Sequence, residues 1–429
     1  MRRVLSTVAA LGAVALLAGC AGGGAAPEEG ISTDAPAGAI RFESWTPTQE
    51  TFDSIETAFT DEFPDVEVQG TLSPFEDYQT SLQTQLRSGA GPDVFVVQPG
   101  AMLNQFREYI EPIDAYATEF DGEAWADAYN PEPLARATVD DKTYGLPVGY
   151  GTAGFLWVNN TLLEQNGLTA PTTYDELVDV SAALSDAGVA PIAFGAKDAW
   201  QAVDYYLAIA AAKNRDALYA ALEGEGSWND PDLVDAFSAW KQLFSDGVVQ
   251  EGAAGAATYT DTYDLFAQGK AAFFANGSWN LDMFVNSLDL VQDFDIDVIP
   301  LPVPGSDMTA PITGDVTGIV VVNKNSANKS AAFQLARYMS QGPGAQILTD
   351  AALDFPVTKE GPSPQDLPEQ AVTARASIEE LIAGDLAGYR QVPSATVNTA
   401  LGDALIGLIT SDLTAEEAAS RVQEAADNA

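Results

Sequence analysis

The sequence has no histidine in 429 residues. That absence removes Ser-His-Asp and Cys-His nucleophilic chemistry and the commonest zinc ligand. Cysteine occurs once, at Cys20, which excludes internal disulfides, redox pairs and cysteine-based zinc sites. Positive charge is scarce: 19 Lys and Arg stand against 62 Asp and Glu, a net charge of −43. Such a chain repels a phosphate backbone and an anionic membrane surface, so nucleic acid is not an expected partner. The acidity reads as a solubilising surface. Past the N-terminal segment, no apolar run reaches the roughly 20 residues that a membrane span requires.

What is present begins at the N-terminus. Arg2-Arg3, an apolar run over residues 4–17 and the small residues Ala18-Gly19 before Cys20 have the order of a secretory signal. Leu17-Ala18-Gly19-Cys20 resembles the lipobox of bacterial lipoproteins. The resemblance implies cleavage of residues 1–19 and a lipid on the Cys20 thiol. The mature chain would keep 17 cations against 62 acids, a charge of −45. Residues 20–38, small, polar and proline-bearing, read as the lipidated cysteine and a flexible tether.

The body is too long for one ordinary core, so two lobes are expected. Ile40 and Phe42 alternate with charged neighbours, which predicts a strand ending at Ser44-Trp45. Phe52, Ile55, Phe59 and Phe63 recur at helical steps and Pro64 stops them. "VEVQGTL" predicts a strand, Tyr78, Leu82 and Leu86 a helix, and "DVFVV" a buried strand. This β-α-β-α-β order starts an open sheet with helices on its faces. Further along, "GFLWVN", "DFDIDVIPLP" and "GDVTGIVVVN" predict strands. "TYDELVDVSAALSDAG", with Thr172 or Thr173 as its cap, residues 199–222 and 230–246, and "NKSAAFQLARYMSQ" predict helices. From about Pro368 onward the chain reads as helical, with Leu401, Leu405, Leu408 and Leu413 on one face.

Gly149-x-Gly151-x-x-Gly154 has the spacing of a dinucleotide fingerprint, but that motif must lie between a strand and a helix. Here a strand-like "FLWVN" follows, so the glycines read instead as a chain crossing that bends and lets a ligand approach. Asp293-x-Asp295-x-Asp297 lacks the later Gly and Glu of a calcium loop and reads as the wet face of a strand. Tyr205-Tyr206 lies in a predicted helix, one ring expected in the core and the other on a surface. No metal site is expected. Paired carboxylates for glycoside hydrolysis stay open by residue type. Trp45, followed by Thr46, Gln49 and Glu50, and Gln98 stand at carboxyl ends of predicted strands, where α/β proteins hold ligands. Tyr150, Asp198, Trp200 and Trp279 stand near predicted loops. Flat rings stack on the C–H faces of sugars while carboxylates and amides bind hydroxyls.

In order, "LRSGAGPDVFVV", "DKTYGLPVGYGTAGFLWVN", "PTTYDELVDVSAALSDAGVAPIAFG" and "LFAQGKAAFFANGSW" resemble family 1 of the extracellular solute-binding proteins of ABC importers, the maltose-binding-like sugar branch. The resemblance runs over nearly the whole mature chain. It implies an α/β, two-lobed periplasmic-binding-protein-like fold, each lobe a mixed sheet flanked by helices, joined by hinge crossovers near Pro147–Tyr150, Ile312–Asp315 and Pro356-Val357. The first lobe would comprise 39–147 plus 314–357 and the second 148–313 plus 358–429. By the same resemblance Trp45, Glu50, Gln98, Tyr150, Trp200, Trp279, Gly314, Asp315 and Arg390 face the cleft. The implied function is capture of a sugar or oligosaccharide, without chemistry or cofactor, by a monomer held outside the cell membrane by its lipid and delivering to the transmembrane subunits of an ABC permease. A carboxylate-dependent glycoside hydrolase, or a binding protein for another solute such as a polyamine, are the alternatives.

Overall fold

The computed structural model describes residues 30–365 and 367–429. Cys20 and the signal segment lie outside them. The expected tether, 20–38, is described from Gly30; there the Ser330 hydroxyl accepts from the Ser32 amide, and Asn328 and Gln334 side chains donate to the Ala37 and Asp34 carbonyls.

The first sheet is six-stranded: β1 (Gly38–Ser44), β2 (Val66–Leu72), β3 (Val94–Val97), β6 (Leu146–Ala153), β11 (Ile312–Val322) and β12 (Leu386–Tyr389). β1 pairs in parallel with β2 and β3, Ile40 opposite Val68 and Phe42 opposite Val94. The helix Gln49–Glu62 returns the chain between β1 and β2. Thr48 caps its N-terminus, and Phe52, Ile55 and Phe59 form its buried stripe. β3 is apolar at every position because helices cover both faces of the sheet there. A short hairpin, β4 (Thr138–Val139) with β5 (Lys142–Thr143), precedes β6.

The second sheet has the order β10–β7–β9–β8, with β7 at Phe155–Asn159, β8 at Ala190–Ala193, β9 at Ala271–Ala275 and β10 at Ile296–Pro300. In β7, Leu156 and Val158 join one apolar core while Phe155 and Trp157 join another on the opposite face. That double burial is why "FLWVN" is a continuous apolar run rather than an alternating one. Thr173 caps the helix Tyr174–Asp186 in a reciprocal box with Glu176. The helix Ala199–Leu222 is interrupted at Asn214, whose Oδ1 accepts from the Ala217 amide. Tyr205 and Tyr206 are both fully buried, their hydroxyls donating to the Phe155 and Leu233 carbonyls; the expected split between core and surface does not occur. Leu401, Leu405, Leu408 and Leu413 are all buried.

β6 and β11 run antiparallel from Leu146–Val320 to Ala153–Thr313. Residues 148–153, expected in the second lobe, thus belong to the first sheet, and the chain leaves it at Gly154. Gly154 has φ +95° and a Cβ there would lie 2.6 Å from the Ala208 methyl. β12 comes from another segment expected in the second lobe and extends β11 at Ile312–Gly314.

Candidate functional site

The helix Ala199–Leu222 begins beside the loop that carries Tyr259, and the turn Ser278–Asp282 follows β9. Their tips bring three rings together. Trp200 stacks on Tyr259 with centroids 5.7 Å apart and planes 22° apart, and lies 6.1 Å from Trp279. Tyr259 is 58% exposed, yet burial raises its hydroxyl pKa well above the ordinary phenol range. The ring cluster is thus open to solvent at Tyr259. The Asp198 carboxylate accepts from the Thr258 amide at 2.7 Å and so fixes the loop under Tyr259.

Trp279 is held from two sides. Its ring edge lies against the bare backbone of Gly151, where a Cβ would come within 3.3 Å. The Arg390 guanidinium sits 4.6 Å from its ring centroid. Arg390 is 5% exposed and its Nη1 donates to both oxygens of Asp204 at 3.0 and 3.2 Å. Burial raises the Asp204 carboxyl pKa, and Arg390 opposes that rise. Arg390 therefore acts behind Trp279 rather than from an open cleft wall.

A second ion pair closes the crossing. Asp315 is fully buried and takes both Nε and Nη2 of Arg136 at 2.8–3.1 Å. It has no free face for a ligand, and Gly314 lies buried under the Tyr150 hydroxyl. Both expectations shift from contact to support. Arg136 stacks on Tyr389 at 4.3 Å. Beside it, partial desolvation and then the charge of Asp315 push the solvent-exposed Glu132 carboxyl up to about 7, against the opposing influence of Arg136 and the Tyr150 hydroxyl.

On the first sheet, Trp45 packs edge-on to Phe75 at 5.1 Å and stays half-buried at the end of β1. Gln98 is half-buried at the end of β3, and Thr46 lines the pocket beneath the crossing. Gln49 is exposed and bonded to Asp53, and Glu50 is exposed in the first turn of its helix. Among the described residues no hydrogen bond or ring contact joins Gln49 or Glu50 to the three rings. The helix Pro343–Ala352, seated on the first core through Ile347 and Leu348, packs against the turn Ser278–Asp282. The two sheets' structures thus meet beside Trp279.

Sequence reasoning missed Tyr259, Glu132, Arg136, Asp282 and Asp354. Asp282 stands three residues past Trp279 on the same turn, a spacing that could have flagged it. The others are brought in by chain crossings and carry no local signal. Burial, and the nearby charge of Asp354, push the Asp282 carboxyl up to about 7 against the Asn286 amide. Asp293 and Asp295 are exposed ahead of β10, which starts only at Ile296, so of the three acids expected on a strand face Asp297 alone lies in the strand; no cluster of acids fit for a metal occurs among the described residues. Gly149-x-Gly151-x-x-Gly154 leads from strand to strand, so no helix N-terminus awaits a pyrophosphate.

A family model described as bacterial extracellular solute-binding protein matches residues 55–374. The chain is 22% identical over 437 residues to an uncharacterised ABC transporter extracellular-binding protein of Pyrococcus horikoshii, covering 98% of this chain and 93% of that one. It is 24% identical to a maltotriose-binding protein of Pyrococcus abyssi over 71% of this chain and 62% of that one. A chitin oligosaccharide binding protein superposes with TM-score 0.77 at 21% identity, over 92% of this chain and 99% of that one. A maltose-bound protein of T. maritima superposes with TM-score 0.72 at 19% identity, over 91% and 99%. These superpositions show a shared two-lobed fold.

Proposed function

The chain belongs to the bacterial extracellular solute-binding protein family, and from that premise we propose that it captures a sugar or oligosaccharide between its lobes and hands it unchanged to an ABC permease. The observation that carries this reading is the cluster of rings formed by Trp200, Tyr259 and Trp279. Three large rings at one place supply C–H-facing surface for a pyranose, and the surrounding carboxylates accept from its hydroxyls. The names of the relatives and structural neighbours, maltotriose-binding and chitin oligosaccharide binding among them, support it.

In this reading Trp45 and Gln98 meet the solute from the first lobe and Tyr150 from the crossing strand. Trp200, Tyr259 and Trp279 meet it from the second. Asp198, Asp315 and Arg390 act through the groups they hold. The lobes are 39–147 plus 314–357 and 148–313 plus 358–429, with residues 148–153 contributing their strand to the first sheet. Closure about the crossings would exclude water and set both lobes for docking. No helix of the described residues is long and apolar enough to cross a membrane. The lipid on Cys20 is the proposed attachment, and the solute-loaded monomer the proposed partner of the permease.

Calorimetric titration against mono- and oligosaccharides tests the function. The expected result is stoichiometric binding with the sugar recovered intact. Binding of no sugar overturns the reading. Turnover lost on replacing two acids would favour the hydrolase instead.

A further inference from the structure

We propose that residues 30–37 are a strap that stays on the first lobe, and that it turns the outer end of that lobe toward the lipid surface. This rests on the reading above of Cys20 as the lipid-bearing residue. Chain ends stay loose unless something ties them down, and here three side chains do. The Ser330 hydroxyl accepts from the Ser32 amide at 3.0 Å, Gln334 Nε2 donates to the Asp34 carbonyl at 3.1 Å, and Asn328 Nδ2 donates to the Ala37 carbonyl at 2.6 Å. Ser330 and Gln334 stand one turn apart on the helix Lys329–Gln341. Asn328 holds the N-cap position of that helix yet makes no capping bond, its amide being turned to Ala37 instead. The segment also folds on itself: the Ser32 hydroxyl donates to the Asp34 carboxylate at 3.1 Å and accepts from the Asp34 amide at 3.3 Å. Pro36 is buried, and its fixed φ lowers the entropy lost on docking.

The strap marks the end of the first lobe that lies away from the cleft. Gly38 starts β1 beside it, and Ser44 ends β1 on the cleft side, about 20 Å further on. β11 comes back to the strap's end at Val322, opposite Val94, where Asn323 and Ser326 donate to Asp93. Ile312, at the other end of β11, stands at the crossing, about 33 Å away.

Docking the strap also shortens the link to the lipid. From Cys20 to Gly38 is eighteen residue steps, which cannot exceed about 63 Å. From Cys20 to Gly30 is ten steps, which cannot exceed about 35 Å. With the strap docked, the outer end of the first lobe is therefore held at the bilayer within about the length of β11. The second lobe begins beyond the crossing and is the end left free to sweep.

The test uses the lipidated protein on phosphatidylcholine vesicles that carry a headgroup-labelled acceptor lipid. The lipid occupies the Cys20 thiol and the sequence has no other cysteine, so an introduced one is the sole free thiol for a donor dye. Asp61→Cys labels the strap end of the first lobe, where the helix Gln49–Glu62 ends just before β2 starts opposite Gly38. Ser185→Cys labels the far end of the second lobe, where the helix Tyr174–Asp186 ends ahead of β8. Both positions are exposed. The expected result is at least twofold greater energy transfer from position 61 than from position 185. Asn328→Ala/Ser330→Ala/Gln334→Ala frees the strap and should cut the transfer from position 61 at least twofold. Hydrogen exchange reads the strap without vesicles: the Ser32 and Asp34 amides should exchange at least tenfold more slowly than in an unstructured peptide, and lose that protection in the triple variant. Exchange at the unprotected rate in the native protein overturns the strap. Equal transfer from the two positions, or transfer from position 61 unmoved by the triple variant, overturns the orientation. A protein mass without lipid on Cys20 overturns the anchor reading and the orientation with it, while the exchange result still decides the strap.

Discussion

Replacing Arg390 with methionine tests the support built behind Trp279. In the native pair the side chains are 6% and 5% exposed, and both oxygens of Asp204 are satisfied by one nitrogen of Arg390. Arg390→Met leaves a buried carboxylate with neither charge nor hydrogen-bond partner, which costs about 3–5 kcal/mol at pH 8. The cost depends on pH. Asp204 already titrates above its ordinary value because of burial, and it loses the opposing influence of Arg390. Its folded pKa then rises further, so the folded state binds a proton that the unfolded state releases. The loss is therefore largest at pH 8 and shrinks toward pH 5. Asp204→Leu combined with Arg390→Met removes both charges and should return to within about 1 kcal/mol of the native protein. Urea unfolding followed by tryptophan fluorescence at both pH values reads these quantities. Titration reads a second consequence: both variants lack the cation behind Trp279, so sugar affinity should fall about tenfold in each, restored stability notwithstanding. A single variant that loses less than about 1 kcal/mol at both pH values, or a double variant as unstable as the single one, refutes the reasoning.

Trp200→Ala should weaken sugar binding about tenfold, the worth of one ring face, with little change in melting temperature; unchanged affinity in the titration removes Trp200 from the site. Gly154→Val, at φ +95° and with Ala208 2.6 Å away, should cost at least about 2 kcal/mol in chemical denaturation. Gly151→Ala has no positive φ, and its Cβ meets the Trp279 ring at 3.3 Å, Thr317 Oγ1 at 3.4 Å and Ser278 Oγ at 3.6 Å; titration should show lost affinity while denaturation shows a small loss of stability. Asp282 and Asp354 titrate at about 7 and about 6, above their ordinary 3.8. The folded state therefore holds protons that the unfolded state lacks, and their contribution to stability is present at low pH and lost as pH rises through those values. The unliganded melting temperature should fall from pH 5 to pH 8, with a shallower fall in Asp282→Asn/Asp354→Asn. An equal slope in that variant would count against the assignment.

Much of the fold was legible because its signals are local. The stripe of Phe52, Ile55 and Phe59, the box of Thr173 with Glu176 and the apolar run of β7 each say which backbone conformation buries them. β6 and β12 were not legible. "LPVGYGTA" and "LAGY" carry glycines and short apolar stretches, and each becomes a strand only because β11 offers an edge to it. The site divides in the same way. Trp200 and Trp279 stood out as rings beside predicted loops. Tyr259, Glu132 and Asp354 did not, since their surroundings are made by chain segments far apart in sequence.

Length, composition and periodicity by themselves set the expectation of two lobes, an open α/β sheet and no histidine chemistry, and the glycines 149–154 that of a chain crossing. Those conclusions rest on residue types and on burial patterns that repeat within a single element. The tertiary structure alone decided which charges are spent and which are free. Arg390 and Asp315 looked like ligands in the sequence and are each neutralised by partners 186 and 179 residues away. Asp354 looked like one acid among many and keeps an unpartnered oxygen. A charge has no chemistry of its own until its neighbours are known, because burial and pairing set its energy, and pairing across such separations is written only in the folded chain.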